Sequence, residues 1–198
     1  YILYIFYAKE YNVGFRIPFI GKEAYRVGIF LFFPLSLFVI TATDTGANFT
    51  DGIDGLCSSV TGVIVFFLLL KNHLGMGDMA PLMGAVLGGL LGFLCFNAYP
   101  AKVFMGDTGS LALGGFVASY ALMCRIPVFI AVIGFIYMIE VISVIIQVGY
   151  FKATKGKRFF KMAPIHHHFE LCGWSETRTV TVFSIATVIL GILVYLFI

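Results

Sequence analysis

The sequence predicts an all-α polytopic membrane protein with about six transmembrane helices. Hydrophobic residues make up 60% of the 198 residues and charged residues 12%, whereas a soluble domain carries about a quarter charged residues. The apolar residues also fall in long runs, as a helix needs in order to cross a hydrocarbon core of roughly 30 Å. The alternative is a buried soluble core, and six such runs in so short a chain argue against it.

Six apolar runs are predicted to be membrane spans within one membrane-embedded domain, residues 1–198. They are Val27–Thr43, Ser58–Leu70, Ala80–Phe96, Ser110–Cys124, Pro127–Phe151 and Thr179–Ile198. Tyr1–Ala8 is apolar but too short to cross, so we expect it to be the end of an earlier helix in a longer protein. Alternating apolar residues in Tyr11–Tyr25, with Gly14, Pro18 and Gly21, predict a small extracytoplasmic β-hairpin.

Three polar segments are predicted to share one face of the membrane, because counting crossings puts 44–57, 97–109 and 152–178 on the same side. The last segment holds a cluster of five Lys and Arg residues, from Lys152 to Lys161. The positive-inside rule therefore predicts that this face is cytoplasmic. A net charge of +3 is too small to indicate a nucleic-acid partner.

The first polar segment places Asn48, Asp51 and Asp54 at intervals of three, so on helical or 3₁₀ turns they face one way. Carboxylates at the mouth of a helix bundle suit a hard cation, or the hydroxyl and imide donors of a nucleotide. The alternative is a solvated turn, which Asp, Asn and Gly favour in any protein.

The second polar segment contains Asp107, directly before a predicted span. The functional hypothesis is a Mg²⁺ ligand, since Mg²⁺ usually takes one or two carboxylates and fills its other positions with waters and phosphates. The alternative is an acid favoured by the dipole at a helix start. Phe104 could offer its ring to a base or pack against lipid, and Asn97 could bind substrate or only cap a helix.

The third polar segment has three adjacent histidines, His166, His167 and His168, after Pro164. Adjacent side chains on a helix diverge by roughly 100°, so we do not expect all three to bind one zinc ion. Imidazoles near Lys161 suit a diphosphate better.

Glu140 lies in the middle of an apolar span, and Gln147 follows on the same helical face. An ionisable group at that depth must face the bundle interior or water. It is either a protonated structural residue or part of a substrate groove.

Gly84, Gly88 and Gly92 line one helix face, which lets a partner helix approach closely. Spacing alone leaves open whether the partner is an internal helix or a second subunit. A homodimer is the expected assembly.

The three segments resemble the phospho-N-acetylmuramoyl-pentapeptide-transferase family, within the polyprenyl-phosphate N-acetylhexosamine-1-phosphate transferase superfamily. The matching motifs are NFTDGIDGL at Asn48–Leu56, FNAYPAKVFMGDTGSLALGG at Phe96–Gly115 and MAPIHHHFELCGWSETR at Met162–Arg178. The last is the most specific, because the wider superfamily shares the first two in looser form.

The resemblance implies a bundle of ten helices in the bacterial inner membrane, with its active site facing the cytoplasm. The six spans here would be the fifth to the tenth, and the family's paired aspartates would precede Tyr1. The implied enzyme transfers phospho-N-acetylmuramoyl-pentapeptide from UDP-MurNAc-pentapeptide to undecaprenyl phosphate, with Mg²⁺ as cofactor and UMP as product. Membrane lipids are further partners, and nucleoside inhibitors could occupy the uridine site.

Carried over by motif, the resemblance implies a role for each candidate site residue. Asp107 would hold the metal, and Asp107, His166 and Asp51 would be catalytic. The implied substrate-binding residues are Asn48, Asp51, Asp54, Asn97, Phe104, Gln147, His166 and His167. Two alternatives remain: a related transferase for another UDP-sugar, and a non-catalytic lipid carrier, which would place polar residues deep in several spans.

Overall fold

The computed structural model describes residues 14–15, 25–26, 28–71 and 79–197. Within these ranges the chain forms two short strands and eight helices. The strands are β1 Gly14–Phe15 and β2 Tyr25–Arg26. The helices are α1 Ile29–Thr50, α2 Leu56–Leu70, α3 Ala80–Asn97, α4 Gly106–Met123, α5 Pro127–Ile133, α6 Phe135–Ala153, α7 Ile165–Leu171 and α8 Glu176–Phe197.

β1 and β2 pair antiparallel, with Gly14 opposite Arg26 and Phe15 opposite Tyr25. Most of the predicted hairpin, and the helix end predicted at Tyr1–Ala8, lie outside the described residues. The extracytoplasmic position of the hairpin stays a prediction.

Four helices of the described chain are long and apolar enough to cross a membrane: Phe30–Thr50, Ala80–Asn97, Phe135–Ala153 and Glu176–Phe197. A fifth, α2, is apolar but has only 15 residues. These helices identify a multi-pass membrane protein, as the composition predicts. The number of crossings stays a prediction.

α2 forms the centre of the core, because it packs against α3 on one side and α8 on the other. Leu56, Val60 and Ile64, one helical turn apart, are fully buried there. α1, by contrast, leaves Phe30 and Phe38 in its N-terminal half largely exposed. An apolar outer surface around an apolar core is what a lipid environment allows.

α1 is longer than the predicted span, since it continues past Thr43 to Thr50. Its added turns pack against α4 and α6, and the Thr50 hydroxyl donates to the Gly46 carbonyl at 2.7 Å. Tertiary packing thus overrides the weak helix propensity of Asp, Thr, Gly and Asn. The predicted loop 44–57 is therefore reduced to a turn at 51–55.

The predicted span Pro127–Phe151 is not one continuous helix, because the structure interrupts it at Gly134 and forms α5 and α6. Glycine is among the poorest helix formers, at about 1 kcal/mol less favourable than alanine. α4 begins four residues before the predicted span, and the segment 152–178 contains the short helix α7.

The glycine stripe of α3 has no described helix packed against it. A Cβ added at Gly84, Gly88 or Gly92 would meet nothing within 4 Å among the described residues. The homodimer therefore stays a prediction.

α1 and α4 approach closely at Gly114, where an added Cβ would lie 2.6 Å from the Cα of Asp44. The neighbouring Gly115 is open, since its nearest atom would be Asp44 Oδ1 at 3.9 Å. Close approach at Gly114 brings the C-terminal half of α1 against the N-terminal half of α4, where the polar residues of both helices lie.

We expect Gly114→Ala to destabilise the protein by about 1–3 kcal/mol, the usual range for overpacking a tight interface. The clash is with backbone, so α1 and α4 must separate. Thermal unfolding in detergent measures the effect, and Gly115→Ala is the matched control, expected to change stability little. Equal stability for the two variants would contradict the contact.

Candidate functional site

The first contact of the site joins α1 to the start of α4. The amide Nδ2 of Asn48 donates to Asp107 Oδ1 at 3.0 Å and to Ser110 Oγ at 3.1 Å. Asp107 is exposed and lies in the first turn of α4. One of its carboxylate oxygens is thus oriented by Asn48, which leaves the other for a ligand.

Asp51 lies directly after α1, and its carboxyl lies near the backbone N–H of Gly106. Burial raises the pKa of this carboxyl from its ordinary 3.8 to about 6. The Gly106 N–H partly offsets this by favouring the ionised form, and the nearby Asp107 charge adds to the rise in pKa. Two carboxyl groups from separate segments therefore lie close enough to repel each other.

The turn at 51–55 is also tied to the loop between α3 and α4. Asp54 Oδ2 accepts a hydrogen bond from the backbone N–H of Ala101 at 2.8 Å. Asn97 is buried, where its amide accepts from Ser58 Oγ at 2.8 Å and donates to the Val103 carbonyl at 3.0 Å. Both side chains therefore shape the loop that leads to Asp107.

Phe104 lies in this loop, and 74% of it is exposed. A ring that packs neither in the core nor under the loop is free to stack on a flat ligand. Its predicted role as a base-stacking residue remains open to test.

His166 lies beneath the turn at 51–55. A Cβ added at Gly52 would lie 2.2 Å from His166 Nε2, so only glycine fits over the ring. On its other side, His166 Nδ1 lies 3.0 Å from Glu140 Oε2. Both side chains are fully buried. The third polar segment therefore meets the first at Gly52.

The three adjacent histidines turn to three different partners, as their spacing predicts. His167 Nδ1 lies 2.6 Å from Glu170 Oε2, and this pair is about one-quarter exposed. His168 Nδ1 accepts a hydrogen bond from the backbone N–H of Lys161 at 3.1 Å. His166 and His167 thus remain near the turn, while His168 stabilises the loop before α7.

Gln147 forms hydrogen bonds with the backbone of that same loop. Its side-chain oxygen accepts from the backbone N–H groups of Phe159 and Phe160, at 3.1 and 2.8 Å, and its Nε2 donates to the Phe160 carbonyl at 3.3 Å. The geometry gives Gln147 a role in folding the loop. Its predicted contact with substrate stays a prediction.

Asp51 and Asp107 fit a magnesium ion better than a metal held by protein ligands alone. Within the described residues no group of three or more His, Cys, Asp or Glu side chains is arranged to hold a metal. Mg²⁺ needs only one or two carboxylates, with waters and phosphates as its other ligands. The mutual repulsion of two carboxylates is also relieved by a cation between them.

Three site residues were not predicted from the sequence. Ser110 accepts the second hydrogen bond of Asn48. Glu170 pairs with His167 at a spacing of three, a helical signal that the sequence does contain. The carboxyl of Glu176 lies near the backbone N–H and the carboxylate of Asp54. No local pattern signals that contact.

Comparison with known proteins finds one matching family model and several relatives that share one name. Residues 1–125 match the model of glycosyl transferase family 4. The phospho-N-acetylmuramoyl-pentapeptide-transferase of Clostridium botulinum (strain Eklund 17B / Type B) is 54% identical over 185 residues, covering 92% of this chain and 56% of the relative. The protein of the same name from Clostridioides difficile (strain 630) is 55% identical over 168 residues, covering 84% and 52%.

A third relative of the same name, from Clostridium novyi (strain NT), is 50% identical over 181 residues, covering 91% of this chain and 55% of the relative. The chain therefore spans slightly more than half the length of the curated relatives it matches. The match includes the three polar segments whose side chains meet in the structure.

Proposed function

Because the chain belongs to glycosyl transferase family 4, we propose that it forms part of an enzyme that transfers phospho-N-acetylmuramoyl-pentapeptide from its UDP-linked precursor to undecaprenyl phosphate. The observation that carries this proposal is the meeting of three separate polar segments. Asn48 donates to Asp107, Asp51 lies near Gly106 and the Asp107 charge, and Gly52 covers His166. Carboxylates and imidazoles at one place suit a diphosphate substrate with a divalent cation.

The proposed reaction is a phosphoryl transfer. A phosphate oxygen of the lipid attacks the sugar-side phosphorus of the UDP-sugar, the bond from that phosphorus to the UMP oxygen breaks, and UMP leaves. Mg²⁺, when bound, would neutralise charge on the diphosphate oxygens. Asp107 would hold it with the oxygen that Asn48 leaves free, and Asp51 would complete the pair.

The histidines and Phe104 would serve the two ends of the UDP-sugar. His166 and His167 would donate to phosphate oxygens, because imidazoles beside anions make strong charge-assisted hydrogen bonds. The exposed Phe104 ring would stack on uracil, and Asp54 would contact the nucleoside side. Nucleoside inhibitors would compete at this position.

The proposed enzyme would lie in the bacterial inner membrane, with this site facing the cytoplasm. Its last polar segment supports that orientation, since Lys152, Lys155, Lys157, Arg158 and Lys161 are clustered there. A homodimer through the open glycine face of α3 is part of the same proposal. Cross-linking in membranes would test the dimer separately.

A UMP-release assay in detergent tests the proposed function. The full protein is incubated with undecaprenyl phosphate and, in parallel, UDP-MurNAc-pentapeptide and other UDP-sugars, each with and without Mg²⁺. We expect UMP only with Mg²⁺ and mainly from UDP-MurNAc-pentapeptide. Preference for another UDP-sugar would favour the related transferase, and no release from any would favour a lipid carrier.

We expect Mg²⁺ binding to weaken as the pH falls below about 6. The pKa of Asp51 is raised to about 6, so a proton competes with the metal there. Below that value, affinity should fall up to tenfold per pH unit for one competing proton. The Mg²⁺ concentration for half-maximal UMP release, measured from pH 5 to 8, checks this. Asp51→Asn should remove the pH dependence, and an unchanged profile in that variant would contradict it.

The raised pKa of Asp51 also affects folding, with the opposite pH dependence: Mg²⁺ binding strengthens as the pH rises, whereas the folded state without Mg²⁺ becomes less stable. A carboxyl that binds its proton more tightly when folded disfavours the folded state once ionised. Without Mg²⁺, Asp51 should therefore lower stability above pH 6, and this penalty should disappear as the pH falls from about 6 towards 3.8. Added Mg²⁺ should offset it.

A further inference from the structure

We propose that Glu140 is a positioning residue that fixes the His166 imidazole, with Nδ1 bound to its carboxylate and Nε2 directed at the turn 51–55. The inference deepens the proposed function and rests on it only for its kinetic consequence. Glu140 lies in the N-terminal third of α6, 26 residues before His166 in α7. The pair therefore links the membrane-spanning part of the bundle to the polar site.

The geometry of the pair determines which nitrogen faces the site. In the proposed arrangement the Glu140 carboxylate accepts, and Nδ1 of His166, 3.0 Å away, carries the proton that it donates. Nε2 is then the free nitrogen, with a lone pair in neutral imidazole and an N–H in the cation. It is the nitrogen beneath Gly52, where an added Cβ would lie 2.2 Å away.

Nε2 is left without a partner in the described part of the chain, and so is Glu140 Oε1. A buried polar atom without a hydrogen bond is costly, and native proteins retain few of them. Apolar side chains at both positions would serve folding at least as well, since a buried ion pair contributes little net stability. An imidazole nitrogen left without a partner and aimed at the Asp51 turn indicates that the ring acts on this turn, which carries a site carboxyl.

The neighbouring pair makes a useful contrast. His167 and Glu170 are three residues apart on one helix and about one-quarter exposed, so water can replace either partner. Glu140 and His166 are fully buried, so no water can take over the role of the carboxylate. Removing Glu140 must therefore change the state of the His166 ring.

The test is the ¹⁵N spectrum of His166 in the full enzyme, labelled at histidine and purified in detergent. Loss of one signal set in His166→Asn assigns the residue. We expect the wild-type Nδ1 to show a protonated nitrogen in a strong hydrogen bond. In Glu140→Gln the signal should shift, because a charged acceptor is replaced by a neutral one. In Glu140→Leu the Nδ1 hydrogen bond should be lost.

The kinetic readout is the split between kcat and KM. We expect kcat for UMP release to fall about 10-fold in Glu140→Gln and about 100-fold in Glu140→Leu, as for other residues that orient a site imidazole, with little change in KM. Glu140→Leu combined with His166→Ala should be no slower than His166→Ala alone.

Ser143→Ala is the matched control. Ser143 is also buried on α6, and its hydroxyl donates to the Glu140 backbone carbonyl at 2.7 Å rather than to His166. This variant should leave the His166 spectrum and kcat unchanged. If Glu140→Leu does not fold, the Glu140→Gln spectrum decides alone.

Two results would overturn the positioning role: a His166 spectrum identical to wild type in Glu140→Gln, or rate losses that multiply in the double variant. The proposed function fails separately. A wild-type enzyme that releases no UMP, yet whose His166 signal responds to Glu140→Gln, would leave the positioning intact and refute the transferase.

Discussion

Replacing Asp107 with alanine should reduce UMP release by about 10²–10³-fold, the usual loss when one preorganised charge stabiliser is removed. The carboxylate is exposed in the first turn of α4, where Asn48 binds one oxygen and leaves the second for the metal. Because the residue contributes nothing to the apolar core, thermal unfolding should change little. The half-maximal Mg²⁺ concentration should rise in parallel with the loss of rate.

Two further variants separate charge from hydrogen bonding. Asp107→Asn keeps an oxygen that can accept from Asn48 but removes the charge, so we expect it to be as slow as Asp107→Ala. Thr108→Ala changes the exposed neighbour and should remain close to wild type in rate. Near-normal activity in Asp107→Ala would end the assignment of this residue as the metal ligand.

The convergence of the three polar segments was predictable from the sequence, since it needs only apolar runs and the parity of crossings. The structure brings Asn48 to Asp107 and Gly52 to His166, as that reasoning requires. The chemical roles carried over by motif stay predictions.

The ends of the helices were less predictable, because local propensity and tertiary packing disagree there. The sequence predicts a loop at Asp44, Thr45, Gly46 and Asn48, yet α1 continues through them against α4 and α6. The opposite discrepancy occurs at Gly134, where the apolar run is unbroken in the sequence but the helix is interrupted in the structure. Hydropathy identifies segments that can lie in lipid, whereas the residue at which a helix ends depends on tertiary packing.

Long-range polar pairs were the least predictable part of the site. The sequence marks Glu140 as unusual at its depth, but nothing in its neighbourhood indicates His166 as the partner. The pair forms only because α6 and α7 pack together. Gln147 shows the same limit, since its amide binds loop backbone twelve and thirteen residues away.

Replacing Gly52 with alanine should reduce UMP release by about 10²-fold, although the substitution adds one methyl group at an exposed position. The added Cβ would lie 2.2 Å from His166 Nε2 and 2.5 Å from Cε1. His166 cannot retreat, because Glu140 binds its other nitrogen and the ring is fully buried. The turn must shift instead, and it carries Asp51 away from Gly106.

The clash can be isolated by removing its other partner. Once His166→Ala has taken the ring away, Gly52→Ala should slow the enzyme no further, so the two losses should not multiply. Gly149→Ala is the matched control, since a Cβ there meets nothing within 4 Å among the described residues. If Gly52→Ala is as fast as Gly149→Ala, or if its effect persists without the imidazole, then the turn and the His166 ring do not form one unit.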